Sequence, residues 1–116
     1  MRHHNANRKF GRETTQRRAL LRSLAENLIV NGKIVTTEAK AKELRPFIEK
    51  LVTKGRDEQK SSQRVLTSKL HNREVVKKMV VEISKKYKDR NGGYTRIVKI
   101  GRRKGDASEM AIIEFV

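Results

Sequence analysis

Three histidines, thirteen carboxylates and twenty-nine lysines and arginines are the groups in this 116-residue chain that could do chemistry, and their spacing decides which. His3 and His4 adjoin each other near the start, His71 stands alone, and no serine, histidine and acid fall in an arrangement that suggests a triad or a metal site. Cysteine is absent, so there is no thiolate cluster and no disulfide framework, as in a reducing cytoplasm. The stretch Gly101 to Gly105 lacks the Gly-x-x-x-x-Gly-Lys-Ser/Thr spacing that cradles nucleotide phosphates. No catalytic residue, metal ligand, cofactor or small-molecule substrate is expected. The histidines suit phosphate or ribose contacts better than metal.

The cations remain, and they are unevenly spread. Net charge is +16 with a pI near 10.7. Met1 to Arg22 carries seven basic groups and one acid, Lys85 to Lys104 carries nine and one, and the tail from Gly105 is acidic. A solvated basic face normally intersperses its acids, as the middle of this chain does and these two segments do not. Self-repulsion of this size is relieved by a polyanion that releases condensed counterions as it binds, so the expected partner is nucleic acid. Phe10, Phe47, Tyr87, Tyr94 and Phe115 are the only aromatics. They are too few for the stacking platforms of sheet-based single-strand readers, which favours recognition of backbone and RNA shape by arginine forks. Tyr94 suits a core or turn position better than a base-stacking one.

The elements that position these charges follow from periodicity. Residues 1–13 hold only Met1 and Phe10 as large apolar side chains and read as an extended basic arm, able to reach about 40 Å at roughly 3.3–3.6 Å per residue. Residues 14–116 read as one domain, with 35% hydrophobic content enough for one modest core. Thr14 or Thr15 is expected to cap a helix with Leu20, Leu21, Leu24, Leu28 and Ile29 on one face, ending at Asn31-Gly32. Arg17 and Arg18 in its first turn oppose the helix dipole, a conflict that an external phosphate removes. Lys33 to Thr36 suggests a short strand, and Thr37 caps a second helix, Glu38 to Lys54, in which Glu38 pairs with Lys42 and Pro46 introduces a kink. Ser61 or Ser62 is expected to cap a third helix, and Asn72 starts a fourth that carries Val75, Val76, Met79, Val80, Ile83 and Tyr87. After Asn91-Gly92-Gly93, the runs Tyr94 to Ile100 and Met110 to Val116 form a hairpin whose loop opens on Arg102-Arg103-Lys104. The fold class is therefore α+β: about four helices packed on a small mixed sheet, with a C-terminal β-hairpin and the basic N-terminal arm. No apolar run is long enough to span a bilayer, and no signal-peptide pattern follows Met1.

Four stretches, taken in order, resemble the bacterial large-subunit ribosomal protein L-seventeen family: Met1-Arg2-His3, Gln16 to Arg22 (QRRALLR), Thr36 to Arg45 (TTEAKAKELR) and Gly92 to Ile97 (GGYTRI). The segment Gly101 to Asp106 and the final run Met110 to Val116 also follow that family's basic loop and last strand. Asn5-Ala6-Asn7 and Lys104 depart from its commonest spellings and leave the arm's register open.

The resemblance implies a non-enzymatic, cytoplasmic ribosomal constituent that binds large-subunit rRNA near the exit of the peptide tunnel, with L-thirty-two as a protein neighbour and no membrane partner. It places Arg2, His3, Arg8, Lys9 and Arg12 in the RNA-binding arm. Arg17, Arg18 and Arg22 fall in its first helix, Lys40, Lys42 and Arg45 in its second, and Tyr94, Arg96, Arg102, Arg103 and Lys104 in or beside its hairpin. Two rivals stand beside it. One is a DNA-binding protein using Arg73, Lys77 and Lys78 on the fourth helix, although no convincing helix-turn-helix turn precedes them. The other is an RNA-processing enzyme, which would need an acidic or histidine constellation that the spacing does not provide.

Overall fold

The computed structural model describes residues 13–57 and 60–116. The arm, with Arg2, His3, Arg8, Lys9 and Arg12, lies outside the described residues. Helix α1 (Thr14–Asn31) begins without a side-chain cap. Glu13 is the extended residue before it and its carbonyl accepts the Arg17 N–H at 2.8 Å, so neither Thr14 nor Thr15 caps the helix as expected; both lie within it. Ala25, Leu28 and Ile29 are buried, with Leu21 and Leu24 packed against them. Gly32 stops the helix at φ +82°, a left-handed conformation that needs no Cβ, and donates its N–H to the Leu28 carbonyl at 2.7 Å.

Strand β1 (Lys33–Thr37) leads directly into α2 (Glu38–Gly55). The Thr37 hydroxyl accepts the Lys40 N–H at 3.3 Å, as its position predicts. The helix runs through Pro46, which is exposed, and buries Ala41, Leu44, Ile48, Leu51 and Val52. Helix α3 (Lys60–Leu70) starts before both candidate serine caps. Ser62 lies inside it and buried, its hydroxyl donating to Asp57 at 2.8 Å. Asn72 caps α4 (Arg73–Lys78) through the Glu74 and Val75 N–H groups. The chain continues through a π-helical turn (Met79–Ile83) into α5 (Ser84–Lys86). That turn brings Ser84 against α2: its hydroxyl donates to the Val52 carbonyl at 3.0 Å, and a Cβ on Gly55 would sit 2.3 Å from it. A side chain at 55 would thus displace the Ser84 hydroxyl where the two helices approach.

Strands β2 (Thr95–Arg102) and β3 (Glu109–Phe115) form the expected hairpin, and the sheet order is β1-β3-β2. Both pairings are antiparallel, which corrects the expectation of a mixed sheet. The edge strands β1 and β2 run the same way, but β3 lies between them, so no parallel pair forms. A bulge between Lys99 and Gly101 shifts the register ahead of the hairpin loop. The helices cover the face carrying Thr36, Thr95, Ala111 and Ile113, with Ile34, Ile97 and Phe115 at its margin. The opposite face carries the register row Val35, Ile112 and Val98. Val35 and Val98 are exposed there, as is Ile100 at the bulge.

Candidate nucleic-acid interface

The hairpin loop is built before any ligand arrives. Arg103 donates through Nε and Nη2 to the two carboxylate oxygens of Asp106, at 3.1 and 2.5 Å, and the Ser108 N–H donates to Asp106 Oδ1 at 3.1 Å. The Arg103 guanidinium, helped by the Ser108 N–H, holds the Asp106 carboxyl well below the usual carboxylate range, and the same hydrogen bond raises Arg103. Backbone bonds from Arg103 to Ser108 and from Ala107 to Arg103 close the loop, with Ala107 and Gly105 at positive φ. Arg103 is therefore a brace as well as a cation. Arg102 and Lys104 remain exposed on either side of it, with no ion pair among the described residues.

The loop base meets the start of α2. Lys42 pairs with Glu38 at 2.8 Å, and Lys99 reaches the same Glu38 oxygen at 3.4 Å. The Lys42 hydrogen bond leads in holding the Glu38 carboxyl down at about 2. Burial opposes it, while the neighbouring Glu109 side chain and the charges of Lys42 and Lys99 lower the value further. A carboxylate held below its ordinary 4.5 gives its full stabilisation above that pH and loses it as pH falls through about 2. The difference in thermal midpoint between wild type and Glu38→Gln should therefore be largest above pH 4.5 and shrink steadily toward pH 2. Melting curves across that window check it, and a difference that does not change with pH would refute it.

The remaining candidate cations divide by how far the fold itself uses them. Arg96 on β2 donates Nε to Glu114 on β3 at 2.6 Å, and Arg45 lies 3.7 Å from Glu49 and donates to the Thr95 carbonyl at 3.4 Å. Both stay more than half or nearly half exposed, at 61% and 46% of the side chain, so each can add a phosphate to its internal partner. Lys40 is half-buried on α2. On α1, Arg18 is exposed and Arg17 and Arg22 are half-buried, and no acid lies in the helix's first turn. The structure thus brings Arg102, Arg103 and Lys104 together in the loop and Arg17, Arg18 and Arg22 along α1.

Tyr94 is a correction. It is fully buried, with its ring 5.1 Å from that of Tyr87, so no face is free to stack on a base. Its hydroxyl bonds with Thr53 at 3.0 Å, receives Arg56 Nη1 at 2.9 Å and donates to the Arg90 carbonyl at 3.1 Å. Burial raises this hydroxyl's pKa, but the Thr53 and Arg56 hydrogen bonds outweigh it and leave the value lowered. Arg56 is the residue that sequence reasoning missed. Its guanidinium also donates to the Arg90 carbonyl at 2.6 Å, the Lys88 carbonyl at 3.1 Å and Asn91 Oδ1 at 3.2 Å. It lashes the segment entering β2 to the end of α2. Its partners lie 32 to 38 residues away and two of the four are backbone carbonyls, so no local pattern marks it.

Among the described residues, no three histidine, cysteine or acid side chains gather where they could hold a metal ion, and no helix is long and apolar enough to cross a membrane. The arrangement can neutralise and position phosphates along the outer side of α1 and at a braced loop.

Comparison with known proteins bears directly on that arrangement. The chain is 53% identical over 116 residues to the large ribosomal subunit protein bL17 of Gemmatimonas aurantiaca, covering all of this chain and 98% of that one. It is 50% identical to the bL17 proteins of Dictyoglomus thermophilum and Campylobacter lari, again across the whole chain and 100% and 99% of theirs. The profile of ribosomal protein L17 matches residues 20–116, which includes α2, the loop and every strand described above, and the chain belongs to the ribosomal protein L17 family.

Proposed function

We propose that this chain is a non-catalytic structural constituent of the large ribosomal subunit that binds and neutralises large-subunit rRNA near the exit of the peptide tunnel. Family membership over the full length carries the ribosomal part of this reading. The RNA-binding part is supported by a charge of +16 combined with the exposed Arg18 and half-exposed Arg17 and Arg22 on α1 and the exposed cations of the braced hairpin loop. In this reading Arg17, Arg18, Arg22, Lys40, Lys42, Arg45, Arg96, Arg102, Arg103 and Lys104 meet phosphates, and Arg2, His3, Arg8, Lys9 and Arg12 extend the contact through the arm. Tyr94 serves the core. The neighbour is L-thirty-two, and the apolar outer face of the sheet supports a protein contact of that kind. The protein works in the cytoplasm, within the ribosome.

Co-sedimentation of the tagged chain with ribosomal particles, before and after a high-salt wash, tests the assignment. Retention in the large-subunit peak through the wash is expected. Recovery free or on DNA would sink the reading and restore the DNA-binding rival.

A further inference from the structure

A groove lies at the corner where α1, α2 and α3 meet, with a volume of about 540 Å³. Arg18 and Arg22 from α1, Lys69 from α3 and His71 line its rim, while Leu21 and Phe47 line it as apolar surface. Phe47 packs against the hydrophobic core and still borders the groove, which leaves part of its ring open. Among the described residues no carboxylate pairs with Arg18, Arg22 or Lys69, whereas Lys42, Arg45, Arg96 and Arg103 all have acidic partners. His71 closes α3 by donating its N–H to the Thr67 carbonyl at 2.9 Å, with φ at +58°. Glycine is the usual residue in that left-handed position, so an imidazole is held at the groove's edge against the backbone's own preference.

Three cations with no acidic partner among the described residues, set around an apolar, partly aromatic surface, match an amphiphile with an anionic end and a flat π-face. A bare phosphate would have no use for the apolar part, and a duplex backbone could not bring a base into it. We propose that this groove takes a single unstacked nucleotide of the bound RNA, its base against Phe47 and His71 and the successive backbone phosphates of its strand held one each by Arg18, Arg22 and Lys69. The volume falls within the range of small-ligand sites, about 300–1,000 Å³. Splayed bases stacked on aromatic side chains are a general mode of RNA recognition. The inference rests on the rRNA-binding reading above and adds to it a site, Phe47, Lys69 and His71 included, that charge alone does not indicate.

The test measures Kd of the full chain for transcribed large-subunit rRNA domains across a salt series. Phe47→Leu should raise Kd about tenfold at every salt concentration while leaving the slope unchanged, because stacking releases no counterions. Arg18→Gln, Arg22→Gln and Lys69→Gln together should reduce the log–log slope by about two, at roughly 0.7 per cation. Phe47→Trp keeps a stacking face and should bind as tightly as wild type. Wild-type affinity in Phe47→Leu, or an unchanged slope in the triple variant, overturns the groove while wild-type binding still upholds the ribosomal reading. Failure of the wild type to bind overturns both. If Phe47→Leu does not fold, zero-length ultraviolet crosslinking of the wild-type complex decides: nucleotides attached to the peptides containing Phe47 or His71 support the site, and crosslinks confined to other peptides refute it.

Discussion

Arg56→Met lowers the thermal midpoint of the free chain by about 10 °C, the expected outcome of losing about 2–3 kcal/mol in a domain of this size. The figure comes from the geometry. One guanidinium serves four acceptors: the carbonyls of Lys88 and Arg90, Asn91 Oδ1 and the Tyr94 hydroxyl. Charged donors in such bonds contribute more than neutral ones, but three of the four bonds lie at the surface, where water substitutes for the lost donor. The Tyr94 bond is partly buried, and its loss leaves a core hydroxyl short of a donor. Methionine retains much of the aliphatic stem and so isolates the polar contribution from packing. Lys54→Met, two residues nearer the helix start and exposed, should change the midpoint by no more than about 2 °C. Equal melting of the two variants would show that Arg56 does not hold the β2 entry.

Replacing Arg17, Arg18, Arg22, Arg102 and Lys104 together with glutamine should weaken rRNA binding about a thousandfold near 0.15 M salt. Each cation that neutralises a phosphate contributes roughly 0.7 to the salt slope, or about 0.6 of a decade at that concentration, and five such losses sum to about three decades. Arg96 and Arg103 are left in place deliberately. Glu114 and Asp106 already sit on them, so their removal would unmask a carboxylate beside the RNA and confuse charge with repulsion. The double variant Arg96→Gln and Glu114→Gln preserves net charge but removes the phosphate contact assigned to Arg96, and should lower the salt slope by roughly 0.7. Filter binding or fluorescence anisotropy across a salt series gives both quantities. A five-site variant that binds as tightly as wild type would place the interface on other cations.

What could be read from the sequence follows how local each cause is. Gly32, Thr37 and Asn72 end or begin helices through bonds made within four residues, and each appears where its type predicts. The Glu38–Lys42 pair is equally local. Glu13 precedes α1 without using its side chain, and the capping chemistry of Thr14 and Thr15, which follow it, gave the wrong start. The π-helical turn is hidden because Val75, Val76, Met79, Val80 and Ile83 satisfy an ordinary helical spacing, while the extra residue shows only in the Ser84 N–H reaching back to Met79. Tyr94 and Arg56 find their partners through tertiary packing, as do Phe47, Lys69 and His71 around their groove, and no spacing rule connects α1 to the end of α3. Cation-rich segments announce where charge is concentrated. Which of those cations an internal acid has already engaged is, beyond the local Lys42 pair, known only once Arg96 and Arg103 are seen with their partners.

The position of β3 between β1 and β2 bears on how the chain folds as it is made. Lys33 on β1 has its sheet partner at Glu114, and both other strands depend on the one synthesised after them. At about 5–20 residues per second, β1 emerges several seconds before β3 exists to pair with it. During that interval the helices can form from local contacts, whereas Ile34 and Val35 have no ladder to join. The sheet of the nascent protein therefore cannot close until β3 has been made, and that strand is the keystone on which both of its neighbours wait.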